Sequence, residues 1–150
     1  MRSRLISATS LVAIGMFLAP SLAAAGEIAW HRDVNAAWQT AVDQQTPLLI
    51  FVSSPGCKYC KMMKRNTLSN PEIARQVNQS FVPVAIEANR AGRLVKDLGV
   101  RAFPTMLVIS PEAVVVARIQ GYVAPRELMR RLDATVRNGA QMAQHVSRNR

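Results

Sequence analysis

Leu48-Leu49-Ile50-Phe51-Val52-Ser53-Ser54-Pro55-Gly56-Cys57-Lys58-Tyr59-Cys60 is the stretch on which the fold turns. Its first five residues form an unbroken apolar run rich in strand formers, the pattern of a strand buried on both faces. Ser53-Ser54-Pro55-Gly56 breaks that strand, and a helix is expected from Cys57 to about Arg65. On a helix, the i, i+3 spacing of Cys57 and Cys60 brings both side chains to one face, within bonding reach of each other. Cys57 opens the helix, where unpaired amides and the dipole favour a thiolate, and Lys58 adds positive charge. Cys60 lies one turn inside and is shielded. One exposed nucleophile and one resolving thiol in reserve are what dithiol–disulfide exchange requires.

Other uses of the pair stay open at this level. A structural disulfide closing a four-residue loop contributes only about 2 kcal/mol by loop entropy. Zinc needs four ligands, and the chain has no further cysteine, while His31 and His145 lie far away. A Cu(I) site on Cys57, Cys60 and Met62 or Met63 is chemically sounder, because soft sulfur selects Cu(I). Methionine at helical spacing is also common core filling.

Around this centre the pattern is of one domain. Asp33 is an expected N-cap for a helix with Val34, Ala37, Trp38, Ala41 and Val42 on its apolar face. Asn70-Pro71-Glu72 is a second helix start. Phe81 to Glu87 is an expected strand, weakened by Pro83. A short helix over 91–98 closes at Gly99. Thr105 to Ile109 and Ala113 to Ile119 are two strands joined too tightly for a crossover, hence antiparallel. A last helix from Pro125 carries Leu128, Leu132 and Val136 toward the core and ends near Gly139. The order implies an α/β fold: a central mixed sheet with helices on both faces.

The chain is 150 residues with 49% hydrophobic and 19% charged residues, which excludes disordered and low-complexity classes. Its two cysteines cannot be a stapling framework. Arg2 and Arg4, the apolar run Leu11 to Leu18, and Ala23-Ala24-Ala25 before Gly26 predict a cleaved export signal over residues 1–25. That run is about half of the roughly 20 residues a membrane span needs. Residues 26–138 are then the domain and 139–150 a basic C-terminal tail. The formal charge of +10 invites a nucleic-acid reading, but no binding motif accompanies it. Arg126, Arg130, Arg131 and Arg137 on the last helix, with Arg148 and Arg150 on the tail, are expected to form a solvated face. Its alternative use is weak attraction to anionic lipid or an acidic partner. Trp30, Trp38 and Tyr122 are expected to be packing residues, and His31 and His145 exposed.

Over roughly residues 30–136, these features resemble the thioredoxin superfamily. The likeness rests on the buried strand leading into CKYC, the segment Leu98-Gly99-Val100-Arg101-Ala102-Phe103-Pro104-Thr105, and the closing strands with their last helix. Within the superfamily the chain is similar to the C-terminal domain of DsbD-type thiol:disulfide interchange proteins, through Thr67-Leu68-Ser69-Asn70-Pro71-Glu72 and Leu94-Val95-Lys96-Asp97-Leu98-Gly99-Val100. The resemblance implies a thioredoxin-like fold and a cis Pro104. It also implies that the backbone of Phe103 pairs with an extended substrate segment. Three positions depart from it. Gly56 replaces the usual Trp before the first cysteine. Phe51 stands where the family commonly buries an acid, and Lys64 where the DsbD-type branch has another. The proton relay and redox poise are therefore in question, while the reaction class is not.

The expected protein is a periplasmic thioredoxin-like thiol–disulfide oxidoreductase, with Cys57 and Cys60 catalytic and Lys58 tuning the thiolate. Phe103 and Pro104 are expected to bind substrate. No cofactor is implied, since the electrons reside on the two sulfurs. Protein disulfides or dithiols are the expected substrates, with a membrane-embedded redox partner resetting the pair and the chain a monomer.

Overall fold

The computed structural model describes residues 26–148; the expected export signal lies outside them. Four strands form one sheet in the order β2-β1-β3-β4: β1 Leu48–Ser53, β2 Val82–Glu87, β3 Thr105–Ile109 and β4 Val115–Gln120. Every residue of β1 is buried, because it is a central strand covered on both faces. β2 runs parallel to it, with Leu48 opposite Val82, and β3 runs antiparallel, with Val52 opposite Thr105. Alternation along β1 then serves two cores. Leu49 and Phe51 join Met106, Val108 and Ile119 on one face. Leu48, Ile50 and Val52 join Val84 and Leu107 on the other. Each such side chain contributes about 1.5–3 kcal/mol on burial.

Helices cover both faces. α1 (Val34–Asp43) and α4 (Gly92–Asp97) flank the second core, with Ala37, Ala41 and Val95 buried there. α3 (Pro71–Ser80) and α5 (Pro125–Arg148) cover the first through Ile73, Val77, Leu128 and Leu132. Both expected caps form. Asp33 accepts from the Ala36 amide at 2.7 Å, and Asn70 from Glu72 and Ile73 at 2.9 and 3.3 Å. No helix among the described residues is long and apolar enough to cross a membrane.

Several expectations need correction, but the strand around Pro83 forms as expected: β2 is an edge strand, which tolerates the missing ladder donor of Pro83. Its carbonyl accepts the His31 amide at 2.9 Å, so His31 is half-buried and bridged to β2 rather than exposed. β4 starts at Val115, not Ala113, because Ala113 adopts φ 62° in the turn between the last two strands. α5 continues through Gly139 to Arg148, and Val136 on it is 38% exposed rather than in the core. The helix after the cysteines is not uniform: α2 spans Lys58–Met62 and gives way to a π-helical turn, Met63–Leu68. Trp30, Trp38 and Tyr122 are packed as expected, Trp30 and Tyr122 against the first core and Trp38 against the second.

Candidate active site

β1 delivers the cysteines to one end of the sheet. The loop Ser54-Pro55-Gly56 turns through Gly56 at φ 72°, a left-handed conformation that glycine adopts without penalty. Cys57 then caps α2 itself. Its backbone is extended, and its Sγ accepts the Cys60 amide hydrogen at 3.1 Å. The two sulfurs are bonded to each other, with the Cα atoms 5.3 Å apart. Cys57 is half-buried, whereas Cys60 is only 3% exposed. The amide that points at Cys57 Sγ in the disulfide is placed to stabilise a thiolate after reduction. From Cys57 to Ser69 there is no acidic residue but four basic ones, Lys58, Lys61, Lys64 and Arg65. None of them forms an ion pair among the described residues. Lys58 and Tyr59 between the cysteines are exposed, Tyr59 by 57%.

The antiparallel register places the second expected element at the same end. β1 ends where β3 begins, so the chain leaving Ser53 toward Cys57 and the chain arriving through Phe103 and Pro104 share one end of the sheet. The Phe103–Pro104 bond is cis. Pro104 is buried and Phe103 half-buried. The segment is held by the Gly121 amide donating to Pro104 O at 2.8 Å and by Thr105 Oγ1 donating to Ala102 O at 2.7 Å. These two partners were not legible in sequence, since each depends on where β4 ends and how the loop folds back.

Two residues that sequence reading treats as separate departures meet in space. Lys64 Nζ lies 5.8 Å from the centroid of the Phe51 ring, within cation–π range. Trp30 lies against the same ring, centroids 6.0 Å apart and tilted by 41°. Together with Ile28, Leu68 and Glu27 they line an open cleft of about 390 Å³. The π-helical turn makes this possible. Met63, Thr67 and Leu68 point into the core at spacings of four and five, and the Thr67 hydroxyl donates to Val123 O at 2.7 Å. Lys64 is thereby carried to the outer wall. Met63 is wholly buried in the first core and Met62 half-buried. Met63 is therefore core filling, and this corrects its candidacy as a Cu(I) ligand.

The model of the thioredoxin-like domain matches residues 34–135. The chain belongs to the thioredoxin-like family. Among solved structures it is similar to the DsbH oxidoreductase, at 15% identity and TM-score 0.68, covering 82% of this chain and 94% of that one. It is similar to a thioredoxin from Thermus thermophilus, at 22% identity and TM-score 0.66, covering 72% and 86%. The oxidised C-terminal domain of Neisseria meningitidis DsbD superposes with TM-score 0.62 at 21% identity, covering 71% and 99%. At these identities the likeness is one of fold. No curated protein sequence matches the chain. A thioredoxin-like domain with a bridged CxxC pair at the head of α2 is a thiol–disulfide oxidoreductase.

Proposed function

We propose that this thioredoxin-like protein acts in the periplasm on protein disulfides and dithiols, with Cys57 as attacking and Cys60 as resolving thiol. The observation that carries the assignment is the difference in access: Cys57 is half-buried at the helix end and Cys60 is 3% exposed. In the reducing direction, Cys57 thiolate attacks one sulfur of a substrate disulfide and expels the other as a thiolate. Cys60, deprotonated, then attacks Cys57 Sγ and releases the second substrate sulfur. Two electrons pass to the substrate and its two sulfurs take up two protons, while the Cys57–Cys60 bond forms. The oxidising direction is the reverse. No organic cofactor enters either one.

The residues at Phe103 and Pro104 are proposed to dock an extended substrate segment beside the cysteines, with Lys58 holding positive charge next to the thiolate. Export rests on the leader-like residues 1–25. A membrane-embedded partner that resets the pair rests on the resemblance of Thr67–Glu72 and Leu94–Val100 to the DsbD-type branch. Substrate trapping tests the whole reading. Cys60→Ser should accumulate mixed disulfides with exported proteins, whereas Cys57→Ser should trap few. Equal trapping by both variants, or trapping by the second alone, would overturn the assignment.

A further inference from the structure

The loop that carries Phe103 is pinned by β4 at both of its ends. α4 closes with a helix-terminal turn in which the Gly99 amide donates to Lys96 O at 2.9 Å and the Val100 amide to Val95 O at 3.0 Å. Gly99 takes φ 63° to make it. Those bonds satisfy two helix-end carbonyls and leave the Leu98 and Gly99 carbonyls facing outward. Arg118 on β4 reaches back to both of them. Its Nη2 donates to Leu98 O at 2.7 Å, and Nη1 makes a longer contact with Gly99 O at 3.5 Å. A guanidinium suits this place, because a helix C-terminus carries partial negative charge and the fork can serve two carbonyls at once. Three residues later, just past the end of β4, the Gly121 amide holds Pro104 O. Arg101, Ala102 and Phe103 are thus suspended between two anchors set by one strand. Arg118 also pairs across the sheet with Leu107, which shares a core with Leu98, Val100 and Phe103.

We propose that Arg118 is a positioning residue for substrate: it fixes the loop whose Phe103 backbone receives an extended, disulfide-bearing peptide. It touches neither substrate nor the sulfurs. The inference rests on the thiol–disulfide exchange reading above. A positive charge on an edge strand also deters edge-to-edge pairing. That role needs only the charge, whereas the loop anchor needs the fork.

Two substrates separate these roles. One is a peptide disulfide with residues flanking the bridge, and the other a small aromatic disulfide with no peptide backbone; dithiothreitol regenerates the protein in both assays. Arg118→Ala should raise KM for the peptide by about five- to tenfold, the loss falling on KM rather than kcat. The rate with the small disulfide should stay within about twofold, because thiolate reactivity does not depend on docking. Arg118→Lys, which keeps the charge and loses the fork, should also raise KM, by less than the alanine variant. In the same variants, hydrogen exchange at the bonded amides of the two anchors, Gly99, Val100 and Gly121, should quicken while the sheet stays protected. An unchanged KM, or parallel losses with both substrates, would overturn the proposal. Wild-type protein that never exchanges with peptide disulfides would sink the functional reading instead. Unaltered protection at Gly99, Val100 and Gly121 in Arg118→Ala would then overturn the loop anchor by itself.

Discussion

Cys57 sits where two influences favour its thiolate: the free amides in the first turn of α2, that of Cys60 at 3.1 Å among them, and the positive charge of Lys58 beside it with Lys61, Lys64 and Arg65 further along the chain. Phe51 works in the other direction in principle, since an apolar neighbour desolvates a charge. In the structure its ring faces the core and the cleft and is itself overlaid by Lys64, so charge dominates. Stabilising the thiolate stabilises the reduced form, which makes the couple more oxidising. Lys58→Glu reverses the nearest charge. It should raise the Cys57 pKa by about half a unit, equal to roughly 0.7 kcal/mol, and move the two-electron potential down by about 15 mV. Thiolate absorbance during a pH titration of the reduced protein reads the first, and equilibration with glutathione the second. No response in either would show that local charge does not set the poise. At this scale the sequence was informative about the cysteines and silent about their surroundings. The positions of Phe51 and Lys64 were visible as departures from a resembling family. That they stack on one another depends on the π-helical turn between Met63 and Leu68, which has no local signature.

Elements were legible where capping and burial agree and misjudged where tertiary contact decides. Asn70 caps α3 with two amide hydrogen bonds. Asn70→Ala should therefore cost about 1 kcal/mol, read as a lower urea midpoint at unchanged slope. On α5, periodicity alone placed Leu128, Leu132 and Val136 on one inward face. The first two are fully buried, but Val136 is 38% exposed. Leu132→Ala should accordingly cost about 2–5 kcal/mol, while Val136→Ala should stay within about 0.5 kcal/mol. Equal costs would restore the periodic reading. The first turn of α5 also has a pH signature. Glu127 accepts from Arg131 Nε at 2.7 Å and pairs with Arg130, and these guanidinium groups, Arg131 foremost, hold its carboxyl below the usual range. The stability from that lowered pKa is present above the ordinary carboxylate pKa. It is lost as pH falls through the folded-state value. Glu127→Gln should flatten this acid-side slope of urea midpoint against pH.

The whole molecule follows from one strand. A continuous apolar run can be satisfied only by cover on both faces, so β1 had to be central, with helices above and below. The short connection after β3 forced an antiparallel neighbour, and the long α2–α3 crossover allowed the parallel one. These constraints are local or compositional, which is why the architecture could be anticipated. The reach of Arg118 to the end of α4 and the Gly121 bond to Pro104 join segments about 20 residues apart. Only the assembled sheet brings them together. The consequence for function is an arrangement in which one sheet end presents both an addressable disulfide and the loop expected to receive its substrate. On this reading the disulfide is a working redox couple and not a staple. The most direct test equilibrates the purified chain with glutathione and dithiothreitol buffers of graded potential and counts alkylated thiols at each. A reversible two-electron transition of Cys57 and Cys60 is expected at a potential above the roughly −270 mV of thioredoxin. A pair that stays closed down to that potential, or that never closes at higher ones, would contradict it.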